Sequence, residues 1–570
     1  MCDPRSVNEA GAAFFHRKSP TVCELRSDYP RGRLNVNFPL TFKGLSMAAA
    51  LAASVAIPMA PASAETPKDT FVIARNTADA ITLDPAESFE FTGGRIIANI
   101  YERLFFFEPG DLTKLVGGIA GSYEFSEDGK KITVKLKSGL TFHSGNPVTA
   151  ADVAYSLGRA VKLDKTPAFI IKQIGWTAEN VDEAVKAIDD TTVEINVLAD
   201  MSPALVLNLL SSSVASIVDM KEVEAHAVDG DMGYAWLKDH SAGSGAYKLK
   251  SWKANELVML EAFDKFRYGE PPMKRVVIRH VAEPSAQRLL LEKGDVDAAM
   301  ELTSDQLKGL EGNADVAAKS YPKGYLMYIA TNMEHPILSK PKVRDALHYV
   351  VDYKGMVGSI LDGQYKIHQN FWPSGMWAAA TEAPYSYDLD KAKALLAEAG
   401  VEEGTKITID TLNKSPFKEV AQNVQAALGK IGIESEIILS DGKTLWPKYR
   451  ARKHELIIAR WGPDYSDPHS NADAFAHNPD NRFEAKLTGK LTWRNAWDAK
   501  GLTELTNEAA AASDPAKREE LYAKLQKMVR EDSPFTIMFQ AIGTFGQRSN
   551  VDGFVNGVTS DQAYYWTVTK

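Results

Sequence analysis

The sequence predicts a mixed α/β protein of two lobes, and three features of its pattern carry that expectation. From residue 385 onward helices and strands alternate as LDKAKALLAEAG, KITIDTL, FKEVAQNVQAALGKIG, ESEIIL, LWPKYRAR and ELIIARW. Alternation of this kind argues for helices packed on a mixed sheet. Between residues 71 and 278 the chain is richer in short strands and tight turns, as a second lobe would be. A chain of 570 residues is also too long for one hydrophobic core.

Composition narrows the function classes. Hydrophobic residues make up 45% and charged residues 24%, ordinary values for a soluble globular protein. The net charge is −9 and no basic run is long enough to track phosphates, so nucleic acid is not an expected partner. Residues 43–64, KGLSMAAALAASVAIPMAPASA, read as a positive charge, an apolar run of about a dozen residues and the small-x-small site Ala62-Ser63-Ala64. Residues 1–64 are therefore expected to be a signal peptide with an N-terminal extension, and Glu65 the first mature residue. The apolar run is shorter than the ~20 residues a membrane span needs, and Pro58 and Pro61 interrupt it. Both cysteines, Cys2 and Cys23, precede the site, so the mature chain is expected to hold no disulfide, thiolate zinc site or cysteine nucleophile. No Cys follows the apolar run to take a lipid. The expected location is the periplasm, free in solution.

Taken in order, FVIA at 71–74 opens a strand and TLDPAES follows as a turn-rich loop. Residues 93–104 read as a helix with Ile96, Ile97, Ile100, Tyr101 and Leu104 on one face. FFFEP, SYEFSEDG and KITVKLKSG read as hairpin strands, with Glu127-Asp128-Gly129 as the turn between the last two. Thr149 is placed to cap a helix with Asp152 three residues on, and Val153, Leu157 and Val161 form its buried stripe. Gly400 and Gly432 stand where helices should end. Residues 456–471, LIIARWGPDYSDPHSN, read as a buried strand that breaks at Gly462-Pro463 into an acidic loop. In α/β folds such a loop, at the carboxyl edge of the sheet, presents ligand-binding groups. The lobes are expected at 65–278 (with an extra subdomain at roughly 110–240) and 279–540, with 541–570 returning to the first. Two crossings, near 279 and 540, would make a hinge.

Several blocks then resemble one family. GSYEFSEDGKKITVKLKSGLTFHSGNPVTAADVAYSLGRAV is similar, nearly position for position, to the signature region of the bacterial extracellular solute-binding proteins of family 5. These are the dipeptide-, oligopeptide- and nickel-binding proteins of ABC importers. SGAYKLKSW, QRLLLEKGDVDAA, ATNMEHPILSKPKVRDALHYVVDYKGMV and DPAKREELYAKLQKMVREDSPFTIMF resemble further blocks in the family's order, although Ala246 replaces a proline. The resemblance implies a type II-like periplasmic binding fold with an additional subdomain in the N-terminal lobe. It implies a protein that performs no chemistry, works as a monomer without cofactor, and hands a small ligand, most simply a short peptide, to an ABC importer permease. An opine, a sugar conjugate, haem or a nickel complex stays open as ligand, and a periplasmic hydrolase is the reading from another class.

The residues agree with a binding role. There is no G-x-S-x-G elbow, H-E-x-x-H or G-x-x-x-x-G-K. His469 and His477 are eight residues apart and fit no compact zinc spacing. Trp372 and Trp377 in WPSGMW, and Trp461 and Tyr465 around the acidic loop, can supply flat pocket walls. The resemblance carries the family's W-x-x-D onto Trp461-Gly462-Pro463-Asp464, with Asp464 as the carboxylate that pairs with a peptide's ammonium. Asp467-Pro468 matches a following pair of structural role. Where oligopeptide binders often place an arginine three residues before the tryptophan, this chain has Ile458, and Arg460 precedes Trp461 directly. Strand alternation turns Arg460 to the face opposite Trp461. The candidate ligand-binding residues are thus Asp464, Trp461, Gly462, Tyr465, Trp372 and Trp377.

Overall fold

The computed structural model describes residues 65–570; the expected signal peptide and cleavage site lie outside them. One large mixed sheet organises these residues. Its strands are β1 (Thr70–Arg75), β2 (Tyr247–Lys253), β3 (Leu257–Ala262), β4 (Arg275–His280), β5 (Ala298–Ala299), β6 (Val316–Thr331), β7 (Thr405–Leu412), β8 (Ile433–Ser440), β9 (Leu456–Trp461) and β10 (Phe535–Arg548). They lie in the order β2-β3-β4-β1-β5-β10-β6-β9-β7-β8, and Tyr365–Ile367 pairs with β10 beside this path. β1 is parallel to β4 and β5, and β7 is parallel to β8 and β9; the other pairs are antiparallel.

Apolar burial divides the sheet. Phe71, Ile73, Ile96, Ile100, Val276 and Ile278 belong to one core, while Ile409, Val420, Val424, Ile457 and Leu525 belong to another. β6 and β10 link the two. Phe535, Ile537 and Phe539 of β10 sit in the second core, and Phe545 in the first. These long strands pair from Val316 opposite Arg548 to Ala330 opposite Phe535, but the register shifts between Pro322 and Leu326. A proline cannot donate to the ladder, so a break at this point is where a strand tolerates one. The buried Gln540 side chain holds the irregular backbone, donating to the Lys323 and Ser374 carbonyls at 3.0 Å each. Its Oε1 accepts from the Ser374 N–H and Oγ at 2.9 Å each.

A third core belongs to a four-stranded antiparallel sheet of Ala120–Phe125, Lys131–Leu136, Thr192–Asn196 and Val185–Ala187. Ile132, Val134, Val193 and Ile195 pack there against Val153 and Leu157 of helix Ala150–Leu163. That helix starts with the anticipated reciprocal cap: Thr149 Oγ1 accepts the Asp152 N–H, and Asp152 Oδ2 accepts the Thr149 N–H at 2.9 Å. Gly400 and Gly432 follow helix ends at φ of 62° and 90°, where a side chain would be strained.

Two details differ from the sequence expectations. The helix read at 93–104 is Phe91–Ile100. At Tyr101 the backbone turns extended, because Glu102–Arg103 pairs with Ser216–Ile217. A strand that the pattern did not mark, Asp111–Gly117, pairs with Phe105–Glu108. A fourth, smaller core lies on β1. Leu291, Val296, Leu302 and Leu310 pack on Val72 and Ala74 of β1.

Candidate functional site

β9 is built to be a central strand. Leu456, Ile457, Ile458 and Ala459 are fully buried between β6 and β7, so the chain becomes accessible only where the strand ends. From there the loop 462–467 reaches helix Pro468–Phe475. The Asp464 N–H donates to Ser470 Oγ at 2.8 Å, which fixes the loop without using the Asp464 carboxylate. Asp467 caps the helix, accepting the His469 N–H at 2.9 Å.

Opposite the loop stands the irregular stretch of β6. The two backbones meet closely: a Cβ on Gly324 would lie 2.7 Å from Pro463 Cδ, and one on Gly462 would lie 3.0 Å from the Tyr325 ring. Neither position accepts a side chain without a shift. Around this contact opens a cavity of about 540 Å³, of the size that holds a small ligand. Its walls come from several parts of the chain. Arg460, Gly462, Pro463 and Asp464 supply one side, and Tyr321, Lys323 and Tyr325 another. Phe91 and Arg95 of helix Phe91–Ile100, with Pro167, Ile170 and Val214 of the subdomain, close it.

The aromatic wall is continuous. The Tyr325 ring packs on Phe91 at 5.2 Å between centroids, and the Arg460 guanidinium lies 4.8 Å from the Tyr325 centroid. Asp464 is half-buried at this wall, and its carboxylate has no hydrogen bond or ion pair among the described residues. Burial pushes its carboxyl up to about 7; the charge of Asp473 adds to the shift and Arg494 opposes it. Asp473 sits behind the loop, bonded to His477 at 2.8 Å and paired with Lys490.

Of the six residues marked in the sequence, Gly462 and Asp464 line the cavity. Trp461 points behind it, with the Arg494 guanidinium 5.5 Å from its ring, while Arg460 faces the cavity as strand alternation requires. Tyr465 is buried against the subdomain core and donates to Gln173 Oε1 at 3.1 Å. Trp372 is fully buried, donating to the Trp377 carbonyl at 2.8 Å, and Trp377 lies under Arg518 at 5.3 Å. Asp467 is buried between Arg518 at 2.7 Å and Asn208 at 2.6 Å. Sequence reasoning did not mark Tyr321, Lys323, Tyr325, Phe91 or Arg95. The one available signal was Pro322-Lys323-Gly324 inside a strand, a sequence that announces a bulge. Among the described residues no group of three or more His, Cys, Asp or Glu side chains is placed to hold a metal ion, and no helix is long and apolar enough to cross a membrane.

Similarity to known proteins follows the same architecture. The chain is 29% identical over 507 residues to the probable D,D-dipeptide-binding periplasmic protein DdpA of Escherichia coli K12, covering 88% of this chain and 94% of that one. It is 25% identical to the glutathione-binding protein GsiB of the same strain, covering 83% and 89%. The structure of the periplasmic binding protein DppA of Helicobacter pylori, in complex with the peptide STSA, superposes with a TM-score of 0.71 at 23% identity, covering 88% and 98%. The family described as "Bacterial extracellular solute-binding proteins, family 5 Middle" matches residues 114–483. The chain belongs to this family: it is a two-lobed solute-binding protein with an added subdomain, and not an enzyme.

Proposed function

We propose that this protein is the periplasmic receptor of an ABC importer, that it captures short peptides in the cavity between β6 and the loop after β9, and that it delivers them to the membrane permease as a monomer. The observation that carries the reading is Asp464, a carboxylate on the cavity wall with no hydrogen-bond or ion-pair partner among the described residues. A desolvated carboxylate of this kind is completed by a ligand ammonium, and a peptide's free amino terminus supplies one. Relatives named for a D,D-dipeptide and glutathione, and a neighbour bound to the peptide STSA, support the same class. The Arg460–Tyr325–Phe91 wall offers the flat surface a peptide backbone packs on, and Gly462 lets the loop seat against Tyr325 of that wall. Trp461, Tyr465, Trp372 and Trp377 act from behind, by holding the loop.

In this reading the chain crosses between the lobes on β6 and β10, the long strands that link the two apolar cores. Closure of the lobes about those strands would seal the cavity. Export leaves Glu65 as the first residue. Native mass spectrometry of protein purified from the periplasm tests the ligand, with a retained peptide expected. Small-angle scattering with and without it tests closure, through a smaller radius of gyration. Saturating peptide that neither binds nor compacts the protein would end this reading.

A further inference from the structure

On its subdomain side the cavity has an apolar rim that the protein leaves partly uncovered. Phe89 and Phe91 stand on either side of Glu90 where the chain enters helix Phe91–Ile100, and both line the cavity. They are 40% and 42% exposed. Phe169, also 42% exposed, meets Phe89 edge-on with ring centroids 6.0 Å apart. The buried Pro167, Ile170 and Val214 continue the same lining. Four phenylalanines are exposed among the described residues, and three of them are these. The patch is therefore a local feature and not the scatter of single apolar groups that any surface carries.

The polar groups beside the rings are already engaged. Asp79 accepts the Thr92 N–H at 3.0 Å and its hydroxyl at 2.5 Å, which satisfies a free donor at the helix start. Glu90 accepts the Phe89 N–H at 3.2 Å, and the Ser212 hydroxyl donates to the Leu209 carbonyl at 2.6 Å. The exposed faces of the rings remain for a ligand to cover. Tyr325 ties this patch to Asp464. Its ring packs on Phe91 at 5.2 Å and stands against Gly462, two residues before that carboxylate. A peptide whose ammonium meets Asp464 thus has its first side chains beside Phe91 and Phe89.

We infer that Phe89, Phe91 and Phe169, with Pro167, Ile170 and Val214, form a subsite for a bulky apolar side chain, so that the cavity selects short peptides with leucine- or phenylalanine-like residues near the amino terminus. The inference rests on the peptide reading above and names the class within it. Covering the rings removes apolar area from water on both partners. A polar side chain of the same size forgoes that gain, because the rings offer its amide no hydrogen bond in place of water.

Isothermal titration calorimetry on the purified mature protein decides it, using di- and tripeptides of alanine with Leu, Phe or Asn at the first or second position. Leu and Asn are close in size, so their contrast isolates apolarity. At one of the two positions the Leu or Phe peptide is expected to bind about tenfold or more tightly than its Asn counterpart. In Phe89→Ser and Phe91→Ser, both changes on exposed side chains, that ratio should fall toward one. Leu and Phe peptides that bind no tighter than Asn peptides at either position overturn the apolar preference and leave the peptide reading standing. A ratio that survives both substitutions overturns the assignment to these rings. If no peptide of the set binds, the subsite and the peptide reading fall together.

Discussion

Arg518 Nη2 lies 2.7 Å from Asp467 Oδ1, and both side chains are fully buried. The pair ties helix Pro515–Glu531 to the loop that carries Asp464, and Asn208 of the subdomain completes the carboxylate at 2.6 Å. Burial works against the charged form, but Arg518 and these hydrogen bonds keep the Asp467 carboxyl below the usual range. Asp467→Asn leaves the Arg518 cation uncompensated, so a loss of about 3–5 kcal/mol of stability is expected in urea unfolding. The depressed carboxyl adds stability above its unfolded value of about 3.9, which is lost as pH falls through the folded value. The variant should lack that part of the acid slope.

Asp464→Asn should show the opposite profile, a small change in stability and a large one in binding. Removing one partner of a desolvated ion pair costs about 3–5 kcal/mol, or some hundred- to several thousand-fold in affinity. N-acetylation of the peptide deletes the other partner and should give the same loss in the wild type. Equal binding of acetylated and free peptides would show that Asp464 is not an amine clamp.

Affinity should also follow pH through the Asp464 carboxyl, which burial holds at about 7 without ligand. Only the ionised form pairs with an ammonium. Below that value binding must first release a proton, so affinity should fall about tenfold per pH unit and level off above pH 8. Calorimetry at pH 6 in buffers of different ionisation enthalpy should detect close to one proton released. Without ligand the sign for stability is reversed. The folded value lies above the unfolded one of about 3.9, so this group's stabilising contribution is present in acid and lost as pH rises toward 7. Asp464→Asn should abolish both slopes.

The contact between loop and bulge predicts an asymmetry between two glycines. In Gly324→Ala the new Cβ meets Pro463 at 2.7 Å, a ring fixed in the backbone, whereas in Gly462→Ala it meets the Tyr325 ring at 3.0 Å. A tyrosine ring can swing aside; a proline cannot. Gly324→Ala should carry an overpacking cost of about 1–3 kcal/mol, seen as lost affinity and a lower Tm, and Gly462→Ala less. Equal behaviour of the two would mean that the backbones separate easily.

What could be read from the sequence was local. The Thr149–Asp152 cap, the ends at Gly400 and Gly432 and the break after Trp461 depend on residues within a few positions of each other. The hidden half of the site depends on register. Tyr321, Lys323 and Tyr325 reach the cavity only because β6 slips against β10, whose residues lie some two hundred positions further along the chain. Nothing local marks Arg95, since its partner Asn556 comes from the far end of the chain. Trp372 and Trp377 show the converse: a promising local motif whose rings the second core and Arg518 take up.

The amide of Gln540 holds the bulge through four neutral hydrogen bonds, to Lys323 and Ser374. Ionic strength acts on the two halves of this arrangement differently. Dissolved salt shortens the reach of charges exposed to water, and it leaves buried amide bonds largely untouched. Raising the salt concentration should therefore shorten the reach of the Lys323 and Arg460 charges while the backbone that presents Lys323 keeps its shape.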